Sequence, residues 1–463
     1  MRTKEGRSIC VLPLTARPAC LWDYPSMRHL GARTRRPASW SIAVAAFAFS
    51  ILATSCGNAP TTPTPAPSVS LPPSSGSPLT TPAPTATSED PAAVYARIEQ
   101  QVQAIRGLDA KTAVTPQVLD TAGVARELGK RFDTSYKPGE LAAEQQLDTG
   151  LGLLPAGISL RDELFKLLTT QVAGFYEPDS KKMFVVSKTG GIGPTEKLTF
   201  AHEYDHALQD QHFDLTKLGT DEVGQSDRAF ARLCVAEGDA TLLMYDYLQQ
   251  AFTPAETIGL LQSSLDPAQT AILATMPPYL RDQLLFPYTS GLSFIQSIFA
   301  NGGWPAVDAL YSARPDSTEQ ILHPALYASH DLPMTVTIPA DVASRLGTGW
   351  TAPLQDTLGE FTLDEWLKVA GGLDDTVAAR AAAGWGGDRV VVVTGPSSSW
   401  GVALVSKWDT PTDADEFAAA AGTTAQKLGH ADVFRPVAGE VAVVVGSDDD
   451  IRARLANVLG FAG

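Results

Sequence analysis

A pair of histidines four residues apart constrains this chain more than any other feature. His202 and His206 stand in the stretch His-Glu-Tyr-Asp-His, and Pro194 upstream is typical of a helix start. In an α-helix of 3.6 residues per turn, both side chains project from one face. The two imidazoles can therefore bind one zinc ion, and Glu203, one step round the helix, can reach a water bound to that ion.

Histidine is otherwise scarce in the sequence. The chain has 463 residues and seven histidines, yet His202, His206 and His212 fall within eleven residues. This clustering favours a metal site over a set of ordinary surface histidines. A catalytic zinc usually takes three protein ligands and keeps a fourth position for water, so one further ligand is required.

Two residues compete for the place of the third ligand. Glu237 lies on a second predicted helix, Ser226–Phe252, and Gly238 beside it leaves room for that helix to approach the first one closely. His212 has the spacing of the extended motif His-Glu-x-x-His-x-x-Gly-x-x-His, in which the glycine makes a sharp turn. This chain has Gln209 at the glycine position, where a left-handed backbone is costly. We therefore favour Glu237 and expect His212 to bond carbonyl groups at the helix end.

The two predicted helices resemble the gluzincin group of zinc metallopeptidases. In that group a His-Glu-x-x-His helix is followed some thirty residues later by a helix that carries a glutamate. Residues 202–215 (HEYDHALQDQHFDL) and 237–241 (EGDAT) are similar to a group of bacterial gluzincin-like proteins, and the likeness covers about residues 174–324. The resemblance implies a peptide or protein substrate, zinc as the cofactor, His202, His206 and Glu237 as its ligands, and Glu203 as the catalytic base.

The chain departs from the thermolysin-like members at one position. Those members carry an aspartate four residues after the ligand glutamate, which orients a zinc-bound histidine. Thr241 stands at that position here, so we expect Asp239 or the Thr241 hydroxyl to make the orienting contact. Two alternatives stay open: a metzincin-like peptidase with His212 as the third ligand, and a non-catalytic surface lipoprotein with this fold.

Three further features could serve peptide hydrolysis. Tyr288, before a predicted helix, and His323, after one, are candidate catalytic donors to the oxyanion that forms when water attacks a peptide bond. Residues Val172–Ser187 predict a β-hairpin turning at residues 178–180. An edge strand of this hairpin could pair with the backbone of an extended substrate. Core or structural roles are equally compatible with these residues.

The N-terminus predicts an exported lipoprotein. Three arginines at positions 33, 35 and 36 precede an uncharged, mostly apolar run, Trp40–Ala53, of the length of a signal-peptide core. The run leads into Leu-Ala-Thr-Ser-Cys, which resembles a bacterial lipobox with Cys56 as the lipidated residue. We expect a lipid anchor to hold the protein on the outer face of the cell membrane, with ordinary cleavage and secretion as the alternative.

Composition divides the remaining chain. Residues 57–91 are dominated by Pro, Thr, Ser and Ala and predict an extended linker without a core. After a signal peptide over residues 1–56 and this linker, we predict a zincin-like domain over residues 92–350 and a smaller α+β domain over residues 351–463. The predicted fold class is α+β, with a mostly helical catalytic domain that includes a small β-hairpin or sheet. The formal net charge of −16 argues against nucleic acid as a partner.

Several secondary-structure elements can be located from residue patterns. Helices are predicted at Ala93–Leu108, Pro116–Phe132 and Leu160–Leu168 from their apolar spacing. In the C-terminal region, we predict two paired strands, a helix, a further strand and a final helix, at 389–394, 400–408, 412–428, 440–445 and 449–459 respectively.

Overall fold

The computed structural model describes residues 89–135, 139–171, 173–186, 192–264 and 273–461. The predicted signal peptide, the lipidation site at Cys56 and most of the predicted linker lie outside these described residues. A search of the described helices finds none that is both long enough and apolar enough to cross a membrane. The fold class is α+β, as predicted, with helices as the main element.

Helices form most of the region before residue 311. They are α1 (Pro91–Arg106), α2 (Thr121–Ser135), α3 (Glu140–Gly150), α4 (Leu160–Gln171), α5 (Pro194–Phe213), α6 (Ser226–Ala251), α7 (Pro254–Ser264) and α8 (Pro278–Leu310). A small sheet accompanies them, with strands β1 (Pro116–Leu119), β2 (Gly174–Glu177) and β3 (Lys182–Val186) in the order β1-β3-β2. Strand β1 pairs with β3 in parallel, and β2 pairs with β3 antiparallel.

The predicted helix over residues 116–132 is wrong in its first turn. Residues 116–119 instead form β1, which pairs with β3 far along the chain. The helix begins after Asp120, whose carboxylate accepts a hydrogen bond from the backbone N–H of Gly123 at 2.6 Å. This contact satisfies a backbone donor that a helix start leaves free, so the helix starts there and not five residues earlier.

The predicted hairpin is confirmed, and it packs on α5. The Tyr176 hydroxyl donates to Asp210 at 2.8 Å, and the Lys181 ammonium group contacts the same carboxylate at 2.7 Å. Strand β2 stands at the edge of its sheet. The hairpin therefore fixes an edge strand beside the helix that carries both histidines of the opening motif.

Helix α5 runs without interruption through Gln209 to Phe213, so no turn occurs where the extended motif has its glycine. The expectation that Gly238 lets α6 approach α5 is wrong. A Cβ atom at Gly238 would lie 2.5 Å from the backbone oxygen of Gly291, so this glycine instead allows close contact between α6 and α8. Ile295 on α8 lines the same contact.

The C-terminal region is a five-stranded antiparallel sheet with helices. After the short helices α9 (Thr318–Leu322), α10 (Pro324–Ser329) and α11 (Val342–Leu346), the chain forms β4 (Thr351–Asp356), α12 (Gly359–Val369), α13 (Asp375–Ala382), β5 (Trp385–Thr394), β6 (Trp400–Trp408), α14 (Pro411–Leu428), β7 (Ala431–Phe434), β8 (Glu440–Gly446) and α15 (Asp449–Leu459). The strand order is β4-β5-β6-β8-β7. The predicted strands at 389–394, 400–408 and 440–445 and the predicted helices at 412–428 and 449–459 are confirmed.

Both faces of this sheet are covered by apolar groups. One face, with Val392 and Leu404, belongs to the main hydrophobic core, which also includes Trp366 and extends to α3. The other face, with Val391 and Ala403, packs under α11 and α15. Because alternate residues of a strand point to opposite faces, strands covered on both sides need near-continuous apolar sequence, which explains the valine runs of β5 and β8.

Candidate metal centre

Helices α5 and α6 bring His202, His206 and Glu237 together. The Nε2 atoms of the two histidines are 3.1 Å apart, and Oε2 of Glu237 lies 3.2 Å from the first and 3.3 Å from the second. Zinc–ligand bonds of ~2.0–2.1 Å in a tetrahedron separate neighbouring ligand atoms by roughly 3.3–3.4 Å. The three atoms thus already form a triangle of nearly the size that one zinc ion requires.

All three side chains of this triangle are buried. Burial alone would lower the pKa of His206, but the charge of Glu237 and its contact with the imidazole raise that pKa to about 10. Burial opposes the ionisation of Glu237, yet the two imidazoles lower its pKa to about 2. Burial dominates at His202 and lowers its pKa. The buried Glu237 carboxylate therefore favours a positive charge among these side chains, which a divalent cation can supply in place of the His206 proton.

Glu203 lies beside the triangle and is fully buried. Its Oε2 accepts a hydrogen bond from the backbone N–H of Tyr176 on β2 at 2.8 Å, while Oε1 is buried without a hydrogen-bond partner. Burial raises the pKa of Glu203 to about 8, with opposing effects from the charges of His206 and Glu237. A buried carboxyl group with a raised pKa and one oxygen without a hydrogen-bond partner is suited to exchange a proton with a neighbouring water.

Gln209 contacts His206 from the side opposite the triangle. Its Oε1 lies 3.0 Å from Nδ1 of His206, and its amide nitrogen donates to Asp205 at 2.7 Å and to the backbone carbonyl of Ala236 at 3.2 Å. From the sequence, Gln209 stands out only as a poor turn residue. Its separation of three positions from His206 on one helix face was the signal for this contact.

The predicted orienting contacts of Asp239 and Thr241 are wrong. The carboxylate of Asp239 accepts two hydrogen bonds from Arg106, each at 2.9 Å, and one from the Tyr311 hydroxyl at 2.7 Å. The Thr241 hydroxyl donates to the backbone carbonyl of Glu237 at 2.6 Å, a bond within its own helix. Nδ1 of His202 is buried without a hydrogen bond of ordinary geometry.

His212 points elsewhere and is not part of the triangle. Its Nε2 lies 2.7 Å from the backbone oxygen of Asp109, which follows α1. His212 therefore bonds to a neighbouring segment and not to the end of its own helix, contrary to the expectation. Among the described residues, only His202, His206 and Glu237 form a group whose ligand atoms could hold one metal ion.

The two candidate oxyanion donors have different surroundings. The buried ring of Tyr288 lies beside His202, with ring centroids 6.2 Å apart. Tyr288 stands inside α8 and not before a helix, which corrects that part of the prediction.

His323, between α9 and α10, donates a hydrogen bond to the buried Glu360 at 2.9 Å, and this bond raises the pKa of His323. The contacts of His323 thus lead to α12 and not to the triangle.

A narrow cleft reaches two of the three candidate ligands. It has a volume of about 20 Å³, and its lining includes His206, Glu237 and Tyr176. A larger cavity of about 110 Å³ shares Thr220 and Leu233 with this cleft. Leu233 precedes Glu237 by one helical turn, so the larger cavity adjoins the candidate metal centre.

Comparison with known proteins gives one match. A family described as Domain of unknown function (DUF8575) matches residues 345–457, which include the C-terminal sheet. No curated protein and no solved structure shows a significant similarity to the chain. The matched segment does not include the candidate metal centre.

Proposed function

We propose that the protein is a zinc-dependent metallopeptidase of the gluzincin type. The observation that supports this most is the triangle of His202, His206 and Glu237, with Glu203 beside it. When bound by these three ligands, zinc would polarise the carbonyl of the scissile peptide bond and make water a better nucleophile.

Glu203 is the proposed general base. The Tyr176 N–H holds Oε2 in place, which leaves Oε1 to accept a proton from the attacking water. Because burial raises the pKa of this carboxyl, it can hold that proton and then deliver it to the leaving amine. The intact glutamate also argues against a purely structural metal site, which would need no base.

The substrate is proposed to be an extended peptide or protein segment. Strand β2 offers an edge next to Glu203, where a peptide would pair with backbone groups other than the Tyr176 N–H, and the narrow cleft gives access to His206 and Glu237. We propose Tyr288, whose ring lies beside that of His202, as the donor to the developing oxyanion. We leave His323 out of this assignment because its imidazole is bonded to Glu360.

We further propose that the protein works outside the cytoplasm, anchored through a lipid on Cys56. This rests on the lipobox-like sequence alone, with secretion as the alternative. The net charge of −16 supports a working partner other than nucleic acid.

The proposal is tested by zinc stoichiometry and cleavage of a broad peptide library in four proteins. Against wild type, Glu203→Gln should keep one zinc per chain and lose cleavage by roughly 10²–10⁴-fold. Glu237→Ala should lose zinc, and the matched control His212→Ala should keep both zinc and activity.

Other outcomes would support the alternatives. Zinc retained in Glu237→Ala but lost in His212→Ala would indicate a metzincin-like site. Zinc bound by wild type without cleavage of any library peptide would indicate a non-catalytic lipoprotein.

A further inference from the structure

The side chain of Gln209 is fully buried and makes contacts in three directions. Its amide nitrogen lies 2.7 Å from Oδ2 of Asp205 and 3.2 Å from the backbone oxygen of Ala236, while its oxygen lies 3.0 Å from Nδ1 of His206. A glutamine amide has two N–H donors and one carbonyl acceptor, so each of these atoms has a partner.

These contacts determine which way the amide faces. A backbone carbonyl can only accept a hydrogen bond, so the group that faces Ala236 must be the amide nitrogen. The amide oxygen then faces His206, and since it can only accept, Nδ1 of His206 must carry a proton. The other ring nitrogen, Nε2, is the atom that points to His202 and Glu237. In the neutral ring, Nε2 therefore holds the free electron pair that a metal ion needs.

A buried arginine stands behind Asp205. The Arg106 guanidinium lies 3.9 Å from the Asp205 carboxylate, binds Asp239 at 2.9 Å and binds Asp308 at 2.6 Å. Its carbon Cζ also lies 4.5 Å from the centre of the Trp304 ring. Arg106 thus joins α1 to α5, α6 and α8 and holds the acidic group to which Gln209 donates.

We propose that Gln209, held by Asp205 and the Ala236 carbonyl, is a positioning residue that fixes His206 with its proton on Nδ1 and presents Nε2 to the metal. The proposal rests on the proposed zinc site and names residues that the gluzincin resemblance does not assign. The corresponding influence on His202 comes from the backbone of Ala240 and not from a side chain, so the role of Gln209 is specific to His206. Gln209 thus continues the helix past the position where a turn would bring His212 to the metal, and it also holds His206 in the form that can bind a metal ion.

The test compares zinc dissociation constants, measured by chelator competition, for wild type, Gln209→Met and Gln211→Met. Methionine keeps the length of the side chain and removes its hydrogen bonds. Gln211 is the matched control because it lies on the same helix, where its side chain bonds residues 111 and 112. Removal of such an outer contact typically weakens metal binding by roughly 10–100-fold, which we expect for Gln209→Met alone.

A second measurement on wild type does not depend on the folding of a variant. Nitrogen NMR of the zinc-loaded protein should show the His206 ring proton on Nδ1, in slow exchange with water. A ring proton on Nε2, or equal zinc affinity in the two methionine variants, would overturn the proposal.

These outcomes separate the positioning role from the peptidase assignment. Wild type that binds zinc without cleaving peptides would overturn the proposed function, and the affinity ratio would still decide the role of Gln209. Wild type that binds no zinc would overturn both.

Discussion

The region of the candidate metal centre and the C-terminal sheet bury opposite kinds of side chain. Around α5 and α6, the fully buried groups include Arg106, Asp205, Gln209 and Asp239. In the C-terminal sheet, strands β5, β6 and β8 fill the interior largely with valine, leucine and alanine. The first region depends on directional contacts between charged and polar atoms, and the second depends on apolar packing.

Apolar and charged buried groups contribute differently to the stability of the folded state. Apolar burial stabilises the folded state by about 25 cal/mol for each Å² removed from water, in proportion to area. A buried charge gains little net stability and becomes costly when its partner is removed. The sheet can therefore stabilise the fold through its buried apolar area, while the buried polar groups near α5 add little net stability and are consistent with the proposed positioning role.

The largest expected effect comes from Arg106→Ala. Removal of the guanidinium leaves buried Asp205 and Asp239 without their cation and should lower the free energy of unfolding by about 3–5 kcal/mol. Leu404→Ala in β6, which creates a cavity, should cost about 2–5 kcal/mol. Urea unfolding measures both, and zinc titration separates them, since only Arg106→Ala should weaken zinc binding. Equal zinc affinity in the two variants would contradict the proposed difference between the region around α5 and α6 and the C-terminal sheet.

Gly238→Ala should lower the free energy of unfolding by about 1–3 kcal/mol, which is the usual cost of adding atoms to a well-packed interior. The new Cβ would lie 2.5 Å from the backbone oxygen of Gly291, so α6 and α8 would have to separate. Because Glu237 is the adjacent residue, zinc affinity should fall as well. Thermal unfolding with and without zinc tests this, and an unchanged melting temperature would show that α8 moves freely.

Glu256→Gln should lower the free energy of unfolding by about 1–2 kcal/mol at pH 7. This is less than the whole pKa shift of Glu256 would give, because solvent screens its partly exposed ion pair with Lys197. Burial opposes the ionisation of Glu256. The contact with Lys197 at 2.7 Å and the hydrogen bonds from Thr253 nevertheless lower the pKa of Glu256 to about 2. A lowered pKa gives stability that is complete above pH 4.5 and is lost as the pH falls towards 2. Unfolding free energies of wild type and variant should therefore converge in acid, and a constant difference would contradict the assignment.

The smallest expected effect is a gain of stability from Gly422→Ala. This glycine lies within α14, and a Cβ atom there would meet no other atom within 4 Å. Alanine restricts the unfolded chain and favours the helix, so about 0.5–1 kcal/mol of added stability is expected in urea unfolding. Gly422→Ala is the matched counterpart of Gly238→Ala, since both change a helical glycine.

The sequence was sufficient for features set by neighbouring residues. The spacing of His202 and His206 follows from the period of one helix, and the hairpin follows from its turn residues. Features set by distant partners were missed. β1 exists because it pairs with β3, and Arg106 reaches Asp239 and Asp308 across more than a hundred positions. Tertiary contacts of this kind leave no periodic signal in the chain.

The hydrogen bond between Glu203 and Tyr176 also occupies one backbone donor of β2 at the edge of the small sheet. An unpaired donor at a sheet edge is a site at which another chain can pair. Replacement of Glu203 by alanine would release this donor as well as remove the proposed base. A loss of activity in that variant could then arise from aggregation, whereas glutamine keeps an acceptor oxygen for Tyr176 and isolates the loss of proton transfer.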